Sequence, residues 1–175
     1  TPLTDWQRVL ADARRNPRVL AGAPFVSGQV MLVRDDTVRG VLVRGIEPDR
    51  EAQVTEFALR TREGDLAALR PGEFGVAIGA ELARQVGLAL GDSLALVAPR
   101  GGTNLASALG QPRRFTVVAL FEAGHYEYDA GLILVNLQDA ASLLGISGVS
   151  GVRLKTNDLL AAPAIADELT RQLTG

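Results

Sequence analysis

The sequence lacks cysteine altogether, contains a single histidine, and has only 5% aromatic residues among its 175. The absence of cysteine excludes disulfides, thiolate nucleophiles and cysteine-ligated zinc. With so few aromatic rings, the 47% of apolar residues must form a core mainly from Val, Leu, Ala and Ile. No apolar run reaches the roughly 18 residues that a membrane-spanning helix requires.

The sequence also has no large excess of charge of one sign, because 18 basic residues are balanced by 20 acidic ones. A nucleic-acid-binding domain needs a strongly positive face, so we expect no nucleic-acid partner. The chain starts at Thr1 and shows no signal peptide. We therefore expect it to be a piece of a longer protein.

Motifs for catalysis and cofactor binding are absent as well. His125 is the only candidate base for a catalytic triad, and no Gly-x-Ser-x-Gly elbow supplies a nucleophile for it. The Gly-rich turns are not followed by the Lys-Ser or Lys-Thr of a phosphate loop. We predict that the chain is not an enzyme, has no catalytic residues and binds no cofactor.

The one local group of candidate metal ligands is formed by Glu122, Glu127 and Asp129. Three carboxylates close in sequence are compatible with a hard cation such as calcium. Calcium loops usually need more oxygen ligands and a turn supported by glycine. We therefore favour a solvated polar corner and predict no metal site.

Apolar periodicity predicts helices and strands that are mixed without strict alternation. This order indicates an α+β fold with a mixed sheet, rather than a doubly wound parallel sheet. Predicted helices cover residues 5–15, 50–61, 80–86, 138–144 and 160–173. Predicted strands cover residues 19–25, 28–34, 37–45, 75–79, 93–98, 114–121, 132–136 and 149–156.

One segment, residues 93–121, contains no acidic residue and carries Arg100, Arg113 and Arg114. Its middle, residues 99–112, is irregular and holds Leu105 and Leu109 between two predicted strands. Long loops inside compact domains are usually functional or disordered. Two interpretations remain open: an apolar tip with an arginine collar that contacts a partner, and a surface hairpin without a role.

Four blocks of sequence, in this order, resemble the periplasmic domain of lipoprotein-releasing permeases of the LolC/LolE type, which have a MacB-like architecture. The blocks are residues 40–48 (GVLVRGIEP), 73–79 (EFGVAIG), 121–129 (FEAGHYEYD) and 149–155 (VSGVRLK).

The resemblance implies a two-lobed, MacB-like periplasmic core domain. Residues 1–40 and 145–175 would form an end-built lobe. Residues 41–144 would form an inserted, β-rich middle lobe with a long hairpin loop at 99–112. The parent protein would be an inner-membrane permease, with this domain in the periplasm and an ATPase subunit on the cytoplasmic side.

The resemblance also implies partners and site residues. The domain would help to release lipoproteins from the inner membrane and pass them to a soluble, LolA-like carrier. Leu105 and Leu109 would form the tip of a hook, and Arg100, Arg113 and Arg114 a pad beside it. Contact with carrier, with lipoprotein or with both stays open. An alternative is a MacB-like or FtsX-like domain that couples ATP hydrolysis to a periplasmic adaptor or a cell-wall hydrolase.

Overall fold

The computed structural model describes residues 5–15, 19–49, 60–99, 112–122, 124, 126–146 and 149–156. The α-helices are α1 (Trp6–Arg14), α2 (Ala80–Val86), α3 (Tyr126–Gly131) and α4 (Leu137–Leu144), and a 3-10 turn spans Leu66–Ala68. The strands are β1 (Val19–Arg34), β2 (Thr37–Ile46), β3 (Arg60–Gly64), β4 (Gly75–Gly79), β5 (Ser93–Val97), β6 (Arg113–Glu122), β7 (Leu132–Asn136) and β8 (Gly151–Thr156).

Six of these strands close into a barrel. The order of hydrogen-bonded neighbours around the barrel is β1, β2, β7, β4, β6 and β5, and β5 pairs in turn with β1. The other two strands extend this circuit, since β8 pairs with the first part of β1 and β3 pairs with the last part of β6. Closure satisfies the backbone groups that an open sheet would leave unpaired at its edges.

The barrel repeats one arrangement twice. β1, β2, β4 and α2 correspond in order to β5, β6, β7 and α4. The pairs β1–β2 and β5–β6 are antiparallel, whereas β2–β7 and β6–β4 are parallel. The pairs β4–β7 and β1–β5 are both antiparallel, and together with β2–β7 and β6–β4 they join the two halves. The two halves are therefore related by an approximate two-fold axis.

The two helices cover opposite ends of the barrel. β4 and β7 are antiparallel, and each leads directly into a helix, α2 or α4. Each helix ends at a left-handed glycine, Gly87 with φ 72° or Gly145 with φ 68°, as favoured for a C-terminal cap. Helix side chains join the inward-facing strand residues in one core: Val30, Leu32, Val41, Val43, Val76, Ile78, Leu82, Val86, Leu94, Leu96, Phe115, Val117, Ile133, Val135, Leu137, Ala140 and Leu143.

The predicted α+β class is confirmed, and most predicted strands occur where the pattern places them. The predicted strands 19–25 and 28–34 are one continuous strand, β1. Residues 50–59 of the helix predicted at 50–61 lie outside the described residues, and its last two belong to β3. The helix predicted at 160–173 also lies outside them.

The predicted division into two lobes stays a prediction. Its first boundary, between residues 40 and 41, falls within β2, which is paired with β1 from Phe25↔Ile46 to Arg34↔Thr37. The barrel therefore includes much of β1 together with β2. Within the described part of the chain, no helix is both long and apolar enough to cross a membrane.

Gly45 sets the distance between α4 and the barrel wall. A Cβ atom built on Gly45 would overlap the Cβ of Ala140 and would lie 3.2 Å from the Cα of Leu137. Both neighbours belong to α4, so relief would require moving the helix. Gly40, on the same strand, is exposed, and the nearest atom to a Cβ there is Met31 Sδ at 3.9 Å.

Gly45→Ala should therefore destabilise the protein by about 1–3 kcal/mol, the usual cost of overpacking. Gly40→Ala is the matched control and should change stability by less than about 0.5 kcal/mol. Urea unfolding of both variants measures the difference. Equal stabilities for the two variants would contradict this account of how α4 packs.

Candidate partner-binding site

The hairpin connection differs between the two halves of the barrel. β1 and β2 are joined by the two-residue turn Asp35–Asp36, whereas their counterparts β5 and β6 are joined by residues 98–112. Because β6 runs parallel to β4, this connection leaves the barrel at the end covered by α4. Loops carried by a rigid scaffold are frequent binding elements. The candidate site is therefore centred on the first residues of β6.

Arg113 and Arg114 lie on opposite faces of β6. Phe115 and Val117 are 1% exposed and point into the barrel, and side chains alternate along a strand. Arg113 is therefore on the inner side, at the barrel end covered by α4, opposite Leu96. Arg114 is on the outer wall, opposite Ala95. The two residues of the predicted pad share a strand end but do not share a face.

Arg113 rests on an aromatic pair. Its guanidinium carbon lies 4.9 Å from the centre of the Phe74 ring. The Phe74 ring meets Phe115 edge to face, with centroids 5.5 Å apart. On its other side Arg113 donates from Nη1 to Ser142 Oγ in α4, at 3.2 Å. An exposed cation–π contact contributes about 0.5–1 kcal/mol, so these contacts hold a side chain that is otherwise exposed to solvent.

Phe74 is held in place by Asp139, a residue of the first turn of α4 that is 2% exposed. Asp139 accepts hydrogen bonds from the backbone N–H of Gly72, at 2.8 Å, and of Phe74, at 3.1 Å. Phe74 has φ 52°, a left-handed conformation that is costly for a bulky residue. The two charge-assisted hydrogen bonds to the carboxylate offset this cost.

Asn136 makes a second connection between α4 and the same segment. Its Oδ1 caps the helix by accepting from the N–H of Gln138 at 2.9 Å, and its Nδ2 donates to the carbonyl of Leu69 at 3.0 Å. Asn136 and Asp139 are the buried polar residues of the described chain. The sequence reasoning missed both. An Asn followed three residues later by an acid is a signal for a helix start, but it does not reveal contacts 65–67 residues away.

Arg114 borders a shallow groove of about 350 Å³ on the outer wall. Arg34 borders the same groove and is already engaged, because its Nη1 donates to the carbonyl of Ser93 at 2.6 Å and its Nη2 lies 3.6 Å from Asp92. No carboxylate in the described part of the chain is paired with Arg114.

Arg100, Leu105 and Leu109, the other predicted contact residues, lie outside the described residues. His125 and the side chain of Glu127 lie outside them too. Glu122 forms an ion pair with Arg62 at 2.9 Å. No group of three or more His, Cys, Asp or Glu side chains suited to a metal ion occurs among the residues that the structure describes.

A model of the MacB-like periplasmic core domain family matches residues 1–172. The chain belongs to this family. Lipoprotein-releasing system transmembrane protein LolC of Xylella fastidiosa (strain Temecula1) is 35% identical over 174 residues, which cover 99% of this chain and 42% of that protein. LolC of Neisseria meningitidis serogroup B is 36% identical over 167 residues, which cover 95% of this chain and 40% of that protein. This member of the family thus spans about two fifths of the length of these relatives.

Solved structures show the same fold for the MacB-like domain. The extracellular domain of the ABC-type transporter YknZ, from Gram-positive bacteria, superposes with a TM-score of 0.66 at 15% identity, covering 98% of this chain and 82% of that one. The periplasmic region of MacB from Actinobacillus actinomycetemcomitans also gives a TM-score of 0.66, at 12% identity, covering 99% and 74%.

The predicted resemblance is confirmed by the family match and by the LolC relatives. These findings make the chain a periplasmic domain of the kind found in ABC-transporter permeases, which are membrane proteins. The relatives are named as components of transport systems, not as enzymes.

Asp139→Asn should destabilise this MacB-like domain by about 1–3 kcal/mol. The asparagine NH₂ would face a backbone N–H where a carboxylate oxygen now accepts, so one buried donor would lose its partner. Asp36→Asn, at an exposed turn position, is the control and should be neutral within about 0.5 kcal/mol. Urea unfolding curves test this, and an Asp139→Asn variant as stable as the control would show that the two hydrogen bonds contribute little.

Proposed function

We propose that this domain is the periplasmic binding and coupling part of an inner-membrane permease that releases lipoproteins and passes them to a soluble, LolA-like carrier. The observation that carries the proposal is the similarity to LolC over 99% of the chain. An ATPase subunit on the cytoplasmic side would drive the cycle through the membrane part of the permease.

The asymmetry of the barrel supports a partner-binding role for residues 99–112. One half of the barrel closes with a two-residue turn, so the long connection in the other half is not needed to complete the fold. β5 and β6, which flank it, are each hydrogen-bonded on both sides. Such a base fixes the direction in which the connection leaves the barrel. We propose that Leu105 and Leu109 supply its apolar contact with the carrier.

The charge around this connection supports an acidic surface on the carrier. Residues 93–121 contain three arginines and no acid. Arg114 is exposed on the outer wall, Arg113 is exposed at the barrel end, and Arg100 belongs to the connection itself. Arginine suits carboxylates because its planar fork can donate two parallel hydrogen bonds. Charges of this kind raise the association rate and make it sensitive to salt.

Arg114→Glu should weaken binding of purified carrier about tenfold, which corresponds to about 1.4 kcal/mol. Most of the loss should appear in the association rate and should shrink at high salt. Arg62→Glu is the matched control. Arg62 lies beside the far end of β6, about 20 Å or more from Arg114, and is 62% exposed.

Biosensor kinetics at two salt concentrations would measure these effects. Equal losses for Arg114→Glu and Arg62→Glu would show that Arg114 has no specific role. A wild-type domain that does not bind the carrier at all would refute the carrier proposal. Binding to a periplasmic adaptor instead would favour the MacB-like or FtsX-like alternative.

Replacing residues 100–110 by Gly-Ser-Gly should leave the domain folded and abolish carrier binding. Shortening a surface connection changes the loop-closure free energy by only about 1 kcal/mol, so the melting temperature should shift by a few degrees at most. A Leu105→Ser, Leu109→Ser variant keeps the length and removes only the apolar contact. Full affinity in both variants would place the binding surface elsewhere on the domain.

A further inference from the structure

We infer that Phe74 and Asp139 are positioning residues for Arg113: they hold its guanidinium in one orientation at the base of residues 99–112. This inference rests on the proposed function, because it assigns Arg113 a carboxylate of the carrier as its target. It also adds to that function, since neither Phe74 nor Asp139 belongs to the predicted hook or pad.

Arg113 is a long side chain at a strand end, and its contacts restrict it from two directions. The Phe74 ring lies under the guanidinium, 4.9 Å from Cζ to the ring centre. The hydroxyl of Ser142, on α4, accepts from Nη1 at 3.2 Å. An arginine in this position without these neighbours would sample many rotamers in solvent.

These contacts do not neutralise the charge of Arg113. The guanidinium has five N–H donors, and Ser142 accepts from only one of its nitrogens. Phe74 is an aromatic ring and offers no carboxylate. No ion pair forms between Arg113 and any acid of the described ranges. Arg34 differs from Arg113 in this respect, because its guanidinium lies 3.6–3.7 Å from the carboxylates of Asp92 and Asp35.

The orientation of Phe74 depends in turn on Asp139. The buried carboxylate binds the N–H groups of Gly72 and Phe74, and so selects the left-handed conformation that turns the ring toward Phe115 and Arg113. Because Asp139 belongs to α4, the orientation of Arg113 is fixed to the helix that covers this end of the barrel. Ser142 belongs to the same helix.

A side chain that is already ordered loses less conformational entropy when it binds. Immobilising one such side chain on binding typically changes affinity about two- to tenfold. Loss of the Phe74 ring should therefore weaken carrier binding by about that factor, although Phe74 itself need not touch the carrier. The loss of affinity should be that expected when Arg113 becomes more mobile, and smaller than the loss expected when its charge is removed.

The experiment compares Phe74→Leu with Phe74→Tyr in the same chain. Leucine fills space but has no π-face, whereas tyrosine keeps the ring. Phe25→Leu is the control for loss of an aromatic ring elsewhere; Phe25 packs over Gly151 between β1 and β8. Two quantities are measured: the NMR order parameter of the Arg113 Nε–H group in the free domain, and the dissociation constant for purified carrier.

Phe74→Leu should lower the order parameter of Arg113 below about 0.6 and weaken binding about two- to tenfold. Phe74→Tyr should restore both, and Phe25→Leu should change neither. An unchanged order parameter in Phe74→Leu would overturn the inference, and so would an equal effect of Phe25→Leu. If the wild-type domain binds no carrier, the proposed function fails, but the order parameter still decides whether Phe74 positions Arg113.

Ser142→Ala tests whether α4 helps to hold Arg113, and its outcome does not depend on the folding of Phe74→Leu. Ser142 is exposed on α4, and alanine is well tolerated in helices, so this variant should stay folded. It should lower the order parameter of Arg113 and leave its charge in place. An Arg113 side chain that stays as ordered as in the wild type would contradict a positioning role for α4.

Discussion

Closure of the barrel is the constraint on which the rest of the structure depends. It requires four strand pairs between the halves of the chain, and the two antiparallel ones, β4–β7 and β1–β5, join residues as distant as Met31 and Val97. Once they form, β4 and β7 point in opposite directions, so the helices that follow them must cover opposite ends. Every residue of these two strands is buried, which explains why they contain no polar side chain before Asn136, the last residue of β7.

The candidate site is built on the paired strands of this closed barrel. Residues 99–112 leave the barrel between two paired strands, and the first residues of β6 point to two different surfaces. Arg114 belongs to the outer wall. Arg113 belongs to the end covered by α4, where it interacts with Phe74, just before β4, and with Ser142 of the helix. Two neighbouring charges in the sequence can therefore act on different parts of a partner.

Local signals explain what the sequence predicted well. Gly87 and Gly145 mark helix ends because each adopts a positive φ, and Asp35–Asp36 marks the tight turn of a hairpin. The closure of the barrel, the pairing of β3 with β6 and the hydrogen bonds between Asp139 and the segment before β4 were not predictable. They depend on which distant segments of the chain meet. The alternation of β6 was present in the sequence, but the faces of Arg113 and Arg114 are decided only by the inward burial of Phe115.

The long strand β1 has a mechanical consequence. Its 16 residues extend over about 50 Å, from the pairing with β8 into the barrel wall. It pairs with β8 over residues 19–25, with β2 over residues 25–34 and with β5 over residues 31–33, so every part of its length is paired on at least one side. A force along its axis would load many hydrogen bonds in shear at once, instead of unzipping them singly. β1 should therefore resist stretching, so that a movement of β8 along the strand axis would also move the barrel end that carries residues 35–36.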